Sequence, residues 1–114
     1  MNRKIITEFS EYQRATNETA VYPKDKGIEY CIIGLIGEAG ELANKYAKVI
    51  RDDGGVVSAE KGKELFVELG DILWFASELA TNLNAELSDV ADYNIVKLLD
   101  RKSRNKLSGS GDHR

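Results

Sequence analysis

The chain has 114 residues, with 16 Lys and Arg against 19 Asp and Glu, for a formal charge of −3. That length supports one domain around a single core, and a lone cysteine, Cys31, excludes an internally stapled disulfide scaffold. The charge is unevenly divided: residues 94–114 carry six basic and two acidic side chains, a local +4, which leaves −7 on residues 1–93.

Two further exclusions narrow the chemistry. Glu8 and Glu11 interrupt the N-terminal stretch where a signal peptide is apolar, and no apolar run nears the roughly 20 residues of a bilayer span. A cytoplasmic chain without a membrane partner is therefore expected. The one histidine, His113, stands next to the last residue, which excludes an internal His-based triad, a His-rich zinc site and a Glu-x-x-His di-iron bundle. Carboxylates, cations and water are left to do any chemistry.

In chain order, Phe9, Tyr12, Ala15 and Thr16 recur at helical spacing and predict a first helix over about residues 5–19. The only proline, Pro23, lies in VYPKDKG, a break before the next periodic stretch. From about Lys26 to Arg51, Leu35, Ala39, Leu42, Ala43, Tyr46, Val49 and Ile50 share one broad face, and Asp52-Asp53-Gly54-Gly55 ends that helix. Ser58 is the expected N-cap of a third helix, strongest from Glu64 to about Leu83, where Leu65, Leu69, Ile72, Leu73, Ala76, Leu79, Ala80 and Leu83 form a stripe. Asn82 and Asn84 mark its end, and Ser88 is the expected cap of a fourth helix running to about Lys106. The closing SGSGDHR reads as a flexible tail on composition. No strand pattern or repeat appears, so the expected fold is all-α: one four-helix, bundle-like domain over residues 1–107 and a tail over 108–114.

Both central helices carry the same acidic device. YCIIGLIGEAGELA is apolar except for Glu38 and Glu41, and ELFVELGDILWFA repeats the arrangement with Glu68 and Asp71, Glu64 lying one turn earlier. Each pair is spaced i, i+3, which puts both carboxylates on one side of its helix, at the edge of the apolar stripe. If the two core faces pack together, four carboxylates converge beside apolar surface, where mutual repulsion and desolvation are costly. A divalent cation removes that conflict, and ligation by oxygen alone suits Mg²⁺ or Mn²⁺. Gly34, Gly37, Gly40 and Gly70 sit beside these acids inside helices, a cost of about 1 kcal/mol each relative to alanine. They would permit close helix approach or access by a bulky ligand. The ordinary alternative is solvated helix surface, with Glu41 and Lys45 as an i, i+4 ion pair.

Toward the C-terminus, Asn94, Lys97, Arg101 and Arg104 fall on one helical stripe. Alone they describe a solvated basic face. Beside a carboxylate-held metal they suit a polyphosphate, whose oxygens divide between metal and cations, and Gly109, Gly111 and Asp112 then read as a phosphate-covering loop. Stable nucleic-acid binding is not expected, because the −7 body repels a long phosphate backbone. Trp74 lies off the core stripe and suits base stacking, an oligomer interface or simple packing. Cys31 reads as a small buried apolar residue.

Assembled in this way, the chain resembles the MazG-like nucleoside triphosphate pyrophosphohydrolases of the all-α NTP pyrophosphatase superfamily over nearly its whole length. The resemblance rests on GEAGEL, ELGDILWF, the spacing between them, NIVKLLDRKSR and the terminal GSGDHR. The family's signature is Glu-Glu-x-x-Glu followed by Glu-x-x-Asp; here Gly37 stands in the first glutamate position, and the others match as Glu38, Glu41, Glu68 and Asp71. The resemblance implies Mg²⁺-dependent hydrolysis of an NTP or dNTP to the monophosphate and pyrophosphate. Glu38, Glu41, Glu68 and Asp71 would hold the metal and act catalytically on a water it activates. Asn94, Lys97 and Arg101 would bind phosphates or ribose, with Arg104 and Arg114 as helpers and Trp74 as a further substrate contact. It also implies a homodimer or homotetramer. The alternatives are a nucleotide-binding protein without turnover and a helical assembly protein that retains the metal site.

Overall fold

A computed structural model of the chain describes residues 5–112. Four α-helices are present, and no strand occurs among the described residues. They are α1 (Phe9–Asn17), α2 (Gly27–Asp53), α3 (Ala59–Asn82) and α4 (Leu87–Ser103), with a single 3-10 turn at Lys24–Lys26 between α1 and α2. The all-α expectation holds. His113 and Arg114 lie outside the described residues.

Local chemistry explains most helix ends. Pro23, with φ −63°, precedes the 3-10 turn that leads into α2. At the far end of α2, Gly54 adopts φ +63°, and the Gly55 N–H donates to the Val49 carbonyl at 3.1 Å. Ser58 caps α3 as expected, its Oγ accepting from the Lys61 N–H at 3.1 Å. This cap starts α3 at Ala59, about a turn before its strongest periodicity. Ser88 is not the cap of α4. The helix begins at Leu87, inside which Ser88 falls, and the N-cap position belongs to Glu86. The reason is tertiary: the Leu87 N–H, which a local cap would otherwise satisfy, donates to Gln13 Oε1 of α1 at 2.7 Å.

The principal layer is the antiparallel hairpin of α2 on α3. Gly27 lies against Asn82, Gly34 against Phe75 and Lys45 against Glu68, so the residue numbers run in opposite directions along the seam. α1 crosses α3, and α4 packs on α1 and α3 but not on α2. The expected core stripe is only partly covered. Val49 is fully buried, but Tyr46, Ile50, Leu69 and Leu73 of the same stripes are exposed, as are Ile33, Ile36 and Phe66. One hairpin can cover only one side of each helix, and these helices are apolar over a wider arc.

The interior also contains a polar knot that the apolar pattern does not reveal. Glu78 is completely buried. Its carboxylate accepts from the Thr16 hydroxyl at 2.6 Å and from the Tyr22 hydroxyl at 2.7 Å. Asn82 Nδ2 in turn donates to the Tyr22 oxygen at 2.7 Å. Burial and the bond to Glu78 push the Tyr22 phenol well above its ordinary pKa. Cys31 is fully buried nearby, as its apolar setting implied, and burial raises its thiol.

The helix glycines divide by environment. A Cβ on Gly34 would overlap the Phe75 ring, whereas nothing lies within 4 Å of one built on Gly37, Gly40 or Gly70. Of the four glycines beside the acids, close approach therefore explains Gly34 alone. Gly34→Ala is expected to destabilise the protein by about 1–3 kcal/mol through overpacking, and Gly37→Ala to leave it unchanged or up to about 1 kcal/mol more stable. Urea unfolding followed by circular dichroism measures both; equal effects would remove the distinction.

Candidate metal centre

The α2–α3 seam brings three of the four expected carboxylates together. Oxygens of Glu38, Glu68 and Asp71 all lie within 4.8 Å of one another. Glu38 is half-buried, Glu68 buried and Asp71 exposed, so the cluster opens to solvent on the Asp71 side. Glu41, one turn along α2, is exposed and its oxygens stand outside this tight group. Its charge still acts on Glu38.

The Glu41–Lys45 ion pair of the ordinary alternative is not formed. Lys45 reaches across the seam instead, its Nζ 2.7 Å from Glu68 Oε1. Lys45 faces α3 because a cation there answers the denser negative charge of the facing helix. This single cation leaves the cluster electrostatically short. Glu68 Oε2 is buried and receives no hydrogen bond. A buried, unpartnered carboxylate oxygen is costly unless a donor or cation meets it.

Protonation follows the same imbalance. Glu38 is held above the ordinary carboxylate range, chiefly because its protonated form donates to Glu68, then by burial and by the charges of Asp71, Glu68 and Glu41. Glu68 is held below that range, first by the Lys45 hydrogen bond and then by Glu38. The two neighbouring acids are thus pushed in opposite directions. Three clustered oxygen ligands, one of them orphaned, with no histidine or thiolate, fit a hard divalent cation.

The remaining expected residues are placed as follows. On α4, Asn94 is exposed, Lys97 half-buried and Arg101 buried at 3 % exposure. Arg101 Nη2 donates to the main-chain oxygen of Asp112 at 2.8 Å, and the Asp112 carboxylate lies 3.5 Å from both Arg101 Nη2 and Lys97 Nζ. The tail bends back to α4 through Gly109 (φ +109°) and Gly111 (φ +86°), a conformation that favours glycine. Lys97 and Arg101 hold the Asp112 carboxyl below its usual range. Arg104 pairs with Asp100 at 2.9 Å, one turn back along the chain. Trp74 is engaged within the chain: its Nε1 donates to Thr19 Oγ1 at 2.8 Å, and it packs edge-on against Phe75 with centroids 5.0 Å apart. No ion pair joins Lys97 or Arg101 to Glu38, Glu68 or Asp71 among the described residues. Lys45 was not foreseen as part of the site; its i+4 spacing from Glu41 hid a partner on the other helix.

A hairpin of helices presenting an acidic cluster at its seam defines an all-α, carboxylate-based site. The MazG nucleotide pyrophosphohydrolase domain family matches residues 27–105, and the chain belongs to that family. It is also similar to Gene 37 protein of Mycobacterium phage L5, with 44 % identity over 109 residues that cover 90 % of this chain and 96 % of the phage protein. No solved structure matches. None of the helices among the described residues is long and apolar enough to cross a membrane.

The raised Glu38 pKa has a defined sign for stability. Glu38 binds its proton more tightly folded than unfolded, so its contribution is present below the unfolded carboxyl value and is lost as pH rises through the folded one. Glu38→Gln is therefore expected to raise the melting temperature of metal-free protein near about pH 7, with the gain vanishing toward about pH 4. Excess Mg²⁺ should reverse the order by stabilising the parent more. Thermal scans with chelator and with Mg²⁺ read both effects, and a pH-independent difference would contradict the raised Glu38 carboxyl.

Proposed function

We propose that this protein is a Mg²⁺-dependent nucleoside triphosphate pyrophosphohydrolase, acting on NTPs or dNTPs to release the monophosphate and pyrophosphate. The observation that carries this reading is the Glu38–Glu68–Asp71 cluster with its buried, unpartnered Glu68 oxygen, in a chain of the MazG nucleotide pyrophosphohydrolase family. Glu38, Glu68 and Asp71 would hold the metal, and the exposed Glu41 joins them by a rotamer change, which costs a surface side chain little time. A divalent ion held there would neutralise phosphate oxygens and lower the pKa of a water nucleophile. Lys45 keeps Glu68 ionised and fixed in orientation.

Asn94, Lys97 and Arg101 take the phosphates and ribose, with Arg104 and Arg114 as helpers and Trp74 as a further substrate contact. Support comes from Asp112: an anionic group of the chain itself already rests on Lys97 and Arg101, which shows that this pair accepts negative charge. Residues 1–107 form the working domain, and the tail from 108 closes over the polyphosphate.

Assembly into a homodimer or homotetramer belongs to the same proposal. A compact chain of this length has a radius of gyration of about 13 Å, whereas this chain measures 17.0 Å. Ile33, Ile36, Phe66, Val67 and Leu69, all on the central hairpin, are exposed. A second copy covering those faces supplies the burial that one chain lacks. The protein is expected to work as a cytoplasmic enzyme without stable nucleic-acid binding.

Pyrophosphate release from a panel of NTPs and dNTPs, with Mg²⁺ and with chelator, tests the activity. Glu41→Gln, Glu68→Gln and Asp71→Asn are each expected to lower turnover by about 100-fold or more with helicity unchanged. Tight binding of Mg-nucleotide without pyrophosphate from any of them would assign the non-catalytic alternative.

A further inference from the structure

The chain turns back where α4 ends. Asn105 adopts φ +59°, and the Lys106 N–H donates to the Arg101 carbonyl at 2.6 Å, which closes the last turn of the helix. The segment SGSGD follows, and the positive φ of Gly109 and Gly111 lets it fold along α4 instead of away from it. Asp112 is thereby returned to Lys97 and Arg101, two cations one turn apart on the helix.

Asp112 is held there in two unequal ways. Its main-chain oxygen accepts from Arg101 Nη2 at 2.8 Å, a firm anchor on a side chain that is only 4 % exposed. Its carboxylate is 82 % exposed and stands 3.5 Å from both Lys97 Nζ and Arg101 Nη2, longer than the roughly 2.7–2.9 Å of a charge-assisted hydrogen bond. One loosely held negative charge is thus divided between two positive ones. A phosphate brings more charge, and its oxygens match the fork of a guanidinium. Yet no ligand reaches a guanidinium that is nearly covered and already bonded to Asp112 unless that contact gives way.

We propose that Asp112 is a built-in competitor of phosphate: in the free protein its carboxylate occupies the Lys97–Arg101 pair, and a phosphate-bearing ligand binds there by displacing it. The inference rests on the reading of Lys97 and Arg101 as phosphate-binding cations and adds a regulation of that site; it requires no particular distance between α4 and the carboxylate cluster. A short tether keeps the competing carboxylate at an effective concentration on the order of millimolar. The apparent affinity of any incoming anion is then lowered by the fraction of molecules in which the pair is taken. Because exposed ion pairs are weak, that reduction is a few-fold, a threshold that a polyphosphate overcomes. The tail therefore gives way before it can close over a ligand.

The test uses inorganic tripolyphosphate with Mg²⁺, which carries the phosphates and no base. Calorimetry gives its Kd for the parent, Asp112→Asn, Lys97→Gln and the double variant. Asp92→Asn removes the same charge from another exposed position on α4 and serves as the control. Asp112→Asn is expected to tighten binding about two- to fivefold, and to gain less than about twofold once Lys97 is replaced. The nucleotide KM should fall with it. Weaker binding by Asp112→Asn would overturn the proposal by making the tail a clamp that holds the ligand. Unchanged or undetectable binding would overturn it too, as would an equal gain from Asp92→Asn, which would reduce the effect to net charge. If the parent releases no pyrophosphate from any nucleotide while Asp112→Asn still tightens tripolyphosphate binding, the hydrolase reading falls and the competitor stands. An active parent that Asp112→Asn merely matches removes the competitor alone.

Discussion

The Glu78 carboxylate holds the molecule's separate parts in one arrangement. It is completely buried and forms no ion pair among the described residues; two hydroxyls, from Thr16 of α1 and Tyr22 of the following turn, donate to it. A hydrogen bond to a charged group contributes about 1.5–3 kcal/mol, and leaving such a group unpaired costs more. The arrangement is therefore close to all-or-none: α1 and the Tyr22 turn must both dock for Glu78 to be tolerated. Through that docking α1 is set against α3.

The acidic edge of α3 consequently changes its role along its length. Glu64 pairs with Lys61 at 3.5 Å at the open end. Glu68 and Asp71 meet Glu38 in the middle, with one lysine for three acids. Glu78 is sealed by hydroxyls at the closed end. Only the middle stretch is left with a buried oxygen that no donor reaches. Side-chain carboxylates thus give solvated pairing, a candidate metal centre and a structural latch, and the difference lies wholly in what each one faces. The tail supplies the opposite case. Arg101 is buried under it and bonded to its backbone, while Lys97 stays half-open to an incoming anion.

Much of this was legible from residue order. The helix count, the Ser58 cap and the glycine end of α2 follow from local chemistry, which acts within one turn of chain. The pairing of Glu38 with Glu68 and Asp71 also followed, because matched i, i+3 acids on two apolar stripes must face each other if the stripes pack. Glu78 was hidden for the complementary reason: as one more polar residue at helical spacing, it carries no sign that distant hydroxyls will bury it. Ser88 misled because the N–H it was expected to cap near is satisfied by Gln13, 74 positions away. Trp74, read as suited to base stacking, an oligomer interface or simple packing, donates to Thr19 and packs edge-on against Phe75.

What the sequence by itself determined is the all-α architecture, the acidic middle of α2 and α3 and the cationic stripe of α4, since periodicity and charge are properties of neighbours in the chain. Tertiary structure alone decided that Lys45 serves Glu68 rather than Glu41, that Glu41 stands apart from the tight cluster, and that Arg101 turns inward to hold the tail. Those outcomes depend on which helix faces which across a few ångströms. At that range a cation takes the densest negative charge it can reach, and a buried polar atom takes whatever partner the packing brings.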